Sequence, residues 1–129
     1  MKKILTTIFI IAVIVVGYIA VRAINAPMKL SAAQLGKQLI NSHKSGIDCL
    51  ACHKIGAKGG TIGPDLTKEG ARNHSIQWLE DQIAAPEKNF KAGSSITVDG
   101  KSYMAIMPDH SMLSKKELLE LASYLNSLK

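Results

Sequence analysis

Five consecutive residues, Cys49-Leu50-Ala51-Cys52-His53, constrain this chain more than any other part of its 129 residues. They spell C-x-x-C-H, the pattern that fixes a haem to a polypeptide. Two thiols add across the vinyl groups at one porphyrin edge and leave two thioethers. The histidine that follows then lies under the ring and can give an imidazole nitrogen to the iron. The pattern therefore implies thioethers at Cys49 and Cys52 and an iron ligand at His53. Other uses of the two cysteines fare worse. They are the only cysteines in the chain, and a disulfide between them would close too small a loop to staple a fold. A thioredoxin-like dithiol needs a βαβ setting, and none is visible. A structural zinc site needs four ligands and usually a second cysteine pair. Aromatic residues make up 5% of the chain, which is thin for a small core, and a buried porphyrin would supply flat apolar filler.

The formal net charge is +6, and part of that excess sits at the N-terminus in Lys2, Lys3 and Arg22. From Pro27 onward 13 Lys and Arg face 10 Asp and Glu. A solvated surface of mixed charge accounts for this balance. No basic stripe is interleaved with aromatics, so nucleic acid is not an expected partner.

Met1-Lys2-Lys3 gives a positive start, and Ile4 to Val21 carries no charge over 18 residues. At about 1.5 Å per residue that run nearly spans a hydrocarbon core of about 30 Å. Thr6 and Thr7 can return their hydroxyls to helix carbonyls. Two readings compete. A cleaved signal peptide has a shorter apolar region and an A-x-A-like site. No clean site appears, because Ala26 follows Ile24 and Ala20 follows Tyr18 at the positions that matter. The run length favours an uncleaved N-terminal transmembrane helix. In either case the lysines stay inside and the remainder crosses. The expected location is the cytoplasmic membrane, single-pass, with the haem domain on the periplasmic or other extracytoplasmic side. Residues 1–30 are read as anchor or signal with a short linker, and residues 31–129 as the haem domain. The connector from Arg22 to Leu30 contains Pro27 and reaches at most roughly 30 Å.

Three helices can be placed in the remainder. Ser31 and Gln34 form a capping-box pattern. They open a helix with Leu35, Leu39 and Ile40 on one face, which runs to about His43 and ends at Ser45-Gly46. A second helix runs from about Ser75 to Ala84, with Ile76, Leu79 and Ile83 at helical spacing and Pro86 as its stop. The third opens on a capping box of Ser114 and Glu117 and carries the stripe Leu118, Leu121, Ala122, Leu125 and Leu128. Lys54 to Thr67 is rich in glycine and should be irregular. Residues 96–104 alternate around Asp99-Gly100, a hairpin signal of the type I′ kind.

With these pieces in place, residues 31–129 resemble a class I c-type cytochrome. Gly63-Pro64-Asp65-Leu66 is similar to that family's Gly-Pro-x-Leu loop. Met107-Pro108, then Leu113-Ser114 and a helix ending Ala122-Ser123-Tyr124-Leu125, resembles its Met-Pro element and last helix. Gly36 and Ile40 match the family's first helix, where they would pack on Leu121 and Tyr124. The segment Val98-Asp99-Gly100-Lys101-Ser102-Tyr103 also resembles oxidase-associated members. The implied fold class is all-α, a cytochrome c fold. Three core helices surround one covalent haem c, with a small β-hairpin before the Met ligand. A glycine inside a helix costs about 1 kcal/mol, so Gly36 suggests two helices in close approach.

The resemblance implies Met107 as the sixth ligand to iron. His110 is an alternative ligand three residues on. Met104 and Met112 are expected as core filler, and His43 and His74 as surface or helix-end residues. Pro64 would accept the Nδ1–H of His53 through its carbonyl, fixing the ring. Trp78 would place its indole N–H on a haem propionate or act as an apolar wedge. Tyr103 is a further candidate for a propionate. Tyr124 is expected in helix packing. The implied function is single-electron transfer between redox proteins of a respiratory chain, a terminal oxidase among the candidate partners, without catalysis. Two rivals stay open. One is a haem peroxidase or gas sensor with a labile Met107. The other is a fixed cytochrome subunit of an oxidase complex.

Overall fold

The computed structural model describes residues 2–24, 30–42 and 46–129. His43, Ser45 and the connector around Pro27 lie outside the described residues. Helix α1 spans Lys2–Ile24. Among the described residues no helix is long and apolar enough to cross a membrane. This overturns the expected transmembrane helix, and with it the single-pass membrane location and the anchoring to a membrane through this helix. The run is also less uniform than its freedom from charge suggests: Arg22 ends it, and Thr6, Thr7, Gly17 and Tyr18 interrupt its aliphatic residues.

Helix α2 covers Ala32–Ser42. Its capping box forms as the sequence implies: Gln34 Oε1 accepts from the Ser31 amide at 2.8 Å, and Ser31 Oγ accepts from the Gln34 amide at 3.3 Å. The short helix α3, Cys49–Cys52, is capped by the Asp48 carboxylate, which accepts from the Ala51 amide at 3.1 Å. Helix α4 is Ile76–Ala84, opened by Ser75 Oγ, which accepts from the Trp78 amide at 3.1 Å. Pro86 then begins a single 3-10 turn, Pro86–Lys88. Helix α5, Lys115–Ser127, opens on the full Ser114–Glu117 capping box.

The fold is mostly helical rather than all-α, because two small antiparallel ribbons join the helices. One pairs β1, Lys54–Ile55, with β2, Lys58–Gly59, inside the stretch expected to be irregular. The other pairs β3, Ser95–Val98, with β4, Lys101–Met104. In this second ribbon Ile96 stands opposite Tyr103 and Val98 opposite Lys101. Its tip has positive φ at both Asp99 (50°) and Gly100 (74°), as a type I′ turn requires.

Helix α5 is the shared partner, packed on both α2 and α4. A Cβ at Gly36 would collide with the backbone carbonyl of Glu120 and lie 2.9 Å from Tyr124 Cβ. Only a residue without a side chain lets α2 come this close to α5. Ile40, Leu121 and Tyr124 share the buried cluster, with Leu79 and Ile83 of α4 and Leu113 ahead of α5. Leu121 is 1% exposed, and burying such a side chain is worth about 1.5–3 kcal/mol. Gly70 closes the far end, its amide donating to the Leu128 carbonyl at 2.7 Å. The helices thus form one side of a frame whose other side is loops, and the site lies between.

Candidate functional site

A cavity of about 560 Å³ opens beside this core, a volume in the range of small-molecule and cofactor sites. Cys49, Cys52 and His53 line it, as do Pro64, Trp78 and Met107. Tyr103 is not among the lining residues; it is half-buried on β4 opposite Ile96.

Cys49 and Cys52 begin and end the single turn of α3, and both thiols are unpaired. Burial pushes the Cys49 thiol above its usual range. A reactive dithiol needs the opposite, a lowered pKa that yields thiolate. The His53 amide donates to the Cys49 carbonyl at 2.8 Å and fixes the histidine directly after the turn.

The imidazole of His53 is then clamped. Its Nδ1 lies 2.8 Å from the Pro64 carbonyl oxygen. That bond makes Nδ1 the protonated nitrogen and leaves Nε2 with the lone pair. Gly63 packs flat against the ring: a Cβ there would stand 2.5 Å from Cε1 and 2.8 Å from Nδ1. The Gly63 amide donates to the Cys52 carbonyl at 2.9 Å, tying this loop back to the helix that carries the cysteines.

Met107 reaches the cavity from the loop between β4 and α5. Its Sδ lies 3.7 Å from Gln82 Nε2 on α4. Met104 and Met112 are 58% and 67% exposed, so neither fills the core. His110 also lines the cavity, and burial lowers its pKa from the usual value. His74 stands just before the α4 cap. It stacks on Trp78 with ring centroids 3.7 Å apart, and Trp78 meets Phe90 edge-on at 6.2 Å.

Arg72 was missed by sequence reasoning. It follows Glu69 in a 3-10 turn, Glu69–Arg72, and lines the cavity. Its guanidinium binds the Glu69 carboxylate, the Asp65 carbonyl at 2.8 Å and Asp99 Oδ2 at 2.5 Å. Glu69 is 5% exposed and also meets His74 Nδ1 at 3.0 Å. Burial works against the Arg72 charge, but the bond to Asp99 and the nearby Glu69 carboxylate outweigh it and raise its pKa. Arg72 Nε is buried with no hydrogen-bond partner. An orphan cationic donor on a cavity wall is a costly feature that an anionic group would relieve. Among the described residues no cluster of three or more His, Cys, Asp or Glu side chains could hold a bare metal ion.

These features fit a haem: an apolar slot, two thiols on one turn, an oriented imidazole, a thioether, and an unsatisfied donor for a carboxylate. No curated protein and no solved structure matches the chain. The family model described as Cytochrome c matches residues 33–129. The match runs from the second residue of α2 through α5 and takes in every residue that lines the cavity, so the chain belongs to the cytochrome c family, whose cofactor is covalent haem c and whose chemistry is haem-based electron transfer.

Proposed function

We propose that this protein is a single-haem electron carrier of a respiratory chain, with His53 and Met107 as the two protein ligands of the iron and residues 31–129 as its working domain. The observation that carries the reading is the His53–Pro64 bond at 2.8 Å. It sets one tautomer, fixes the ring's orientation and leaves Nε2 as the donor nitrogen. The bound haem supplies a one-electron couple. The residues of the chain do the remainder. Cys49 and Cys52 hold the ring by one edge. Leu79, Ile83 and Leu121 exclude water from its face. Arg72 Nε donates to a propionate, and Trp78 walls the pocket on the α4 side. A methionine thioether raises the potential relative to a second histidine. Two protein ligands, His53 and Met107, would leave substrate no place at the metal, which favours a carrier over a peroxidase or gas sensor. Contacts with donor and acceptor proteins should be weak and short-lived.

The test is spectroscopic. Protein matured in a host that attaches haem c should give a pyridine haemochrome of the bis-thioether type and retain its colour in acidified organic solvent. The oxidised form should show the far-red sulfur-to-iron charge-transfer band, and Met107→Ala should lose it. A band that survives in Met107→Ala sinks the ligand assignment. Rapid carbon monoxide binding by the native reduced protein would move the reading to the sensor class.

A further inference from the structure

Gln82 is a polar residue on an otherwise apolar helix face. Leu79 and Ile83, its neighbours on that face of α4, are buried in the core and line the cavity. A lone amide among them has a cost unless its groups are satisfied. Both ends of this amide are accounted for. Asn89 Nδ2 donates to Gln82 Oε1 at 3.0 Å. Gln82 Nε2 faces Met107 Sδ at 3.7 Å, within reach of an N–H to sulfur hydrogen bond. The first bond supports the second: with Oε1 accepting from Asn89, the Nε2 N–H is directed at the sulfur.

We propose that Gln82, oriented by Asn89, is a positioning residue that sets the electron-donating strength and direction of the Met107 thioether. The inference rests on the reading of Met107 as an iron ligand. A thioether sulfur carries two lone pairs. If one serves the iron, the amide N–H takes the other. That bond restricts rotation about the Cγ–Sδ bond and selects which lone pair faces the cavity. It also draws electron density off the sulfur. Ferric iron depends on that density more than ferrous iron does, so the bond favours the reduced state. Hydrogen bonds in the surroundings of a haem are one of the means by which a protein tunes its potential.

The experiment uses the full chain with haem attached, and it reads the reduction potential and the far-red band together. Gln82→Leu keeps the bulk and removes the donor. Its reduction equilibrium constant should fall by up to about fivefold, the ceiling set by the whole worth of one ordinary hydrogen bond, or about 40 mV at 59 mV per tenfold for one electron. The band should remain but shift. Asn89→Ala leaves the amide in place but unpinned, and should lower the potential by a smaller amount in the same direction. That second variant lies outside the pocket lining and guards against a Gln82→Leu protein that fails to fold. Potentials unchanged in both variants, with the band intact, overturn the role of Gln82 and leave Met107 as ligand. A parent band indifferent to Met107→Ala overturns both readings.

Discussion

The loops that carry His53 and Met107 are built to different standards. Residues 53–67 are fastened at short intervals. Gly60 donates to Leu50 at 2.8 Å, Leu66 to Lys54 at 2.8 Å, and the Gly56 amide to Thr67 Oγ1 at 2.8 Å. The ring of His53 lies inside this net, bonded to Pro64 and pressed by Gly63. The Met107 loop is fastened on either side of the methionine. Ala105 donates to Ser94 at 2.8 Å before it, and after it the His110 amide donates to Ala84 at 3.3 Å and the Leu113 amide to His110 at 3.0 Å. The hydrogen bond to the Met107 side chain itself comes from one amide, at 3.7 Å. A scaffold that fixes His53 through its backbone and meets the Met107 sulfur through a side chain can separate two tasks. Under the proposed ligation, the histidine side would hold the cofactor and the methionine side would adjust its properties.

Arg72 ties the two regions together, and cutting it should have the largest effect. It reaches Asp65, next to Pro64, and Asp99 at the tip of the ribbon that leads to Met107. Arg72→Met would also leave the Glu69 carboxylate buried with only His74 against it. Losing one partner of a buried pair costs about 3–5 kcal/mol. For a domain of this size that should lower the melting temperature by more than about 10 °C, read by thermal unfolding of the haem-loaded protein. A loss under about 1 kcal/mol would mean that the two regions are held independently.

Gly63→Ala tests the histidine side alone. A methyl group 2.5 Å from Cε1 must displace either the ring or the loop. The expected cost is about 1–3 kcal/mol, with a lower yield of haem-loaded protein in absorbance at equal expression. A wild-type yield and melting temperature would show that the ring is not clamped. The matching change on the methionine side is Met112→Ser. Met112 is exposed and outside the cavity lining, so its loss should stay within about 0.5 kcal/mol. A cost above 2 kcal/mol would restore it to the core.

The same contrast decides what could be read from the chain before its structure was known. Local signals were legible. Ser31 with Gln34, Ser114 with Glu117, and Asp99-Gly100 each specify a cap or turn within four residues. The His53–Pro64 pairing was legible through family resemblance, because C-x-x-C-H and Gly-Pro-x-Leu are both short motifs. Arg72 was not, since Asp99 lies 27 residues away and nothing in Glu69-Gly70-Ala71-Arg72 announces that contact. The β1–β2 ribbon was hidden because its strands are two residues long. Gln82 left one usable sign, a polar residue at the inward spacing of Leu79 and Ile83. The apolar run of α1 misled for the opposite reason. Freedom from charge over a long stretch outweighed the threonines, glycine and tyrosine within it.

The smallest effect is a difference in how the two regions meet acid. Hydrogen bonds from Thr67 hold the Asp65 carboxyl below its usual value of 3.8 on the histidine side. A depressed carboxyl contributes stability above its ordinary pKa and loses it only as pH falls through the lower folded value. That region should therefore be insensitive down to about pH 4. On the methionine side, burial lowers the pKa of His110 from its usual 6.5, against an opposing pull from Asp109. A histidine kept neutral by the fold also contributes above its ordinary pKa, and the contribution is lost as pH falls through the lower folded value. The loop around Met107 should thus loosen at milder acidity, below about pH 6, while residues 60–67 stay closed. Amide hydrogen exchange of segments 105–113 and 60–67, corrected for the intrinsic pH dependence of exchange, reads the two separately. In His110→Gln the early loosening should disappear, because the side chain no longer gains a proton. If both segments open at the same pH in the parent protein, the two ligand loops respond to acid as one unit, and the division of tasks between them does not extend to their protonation.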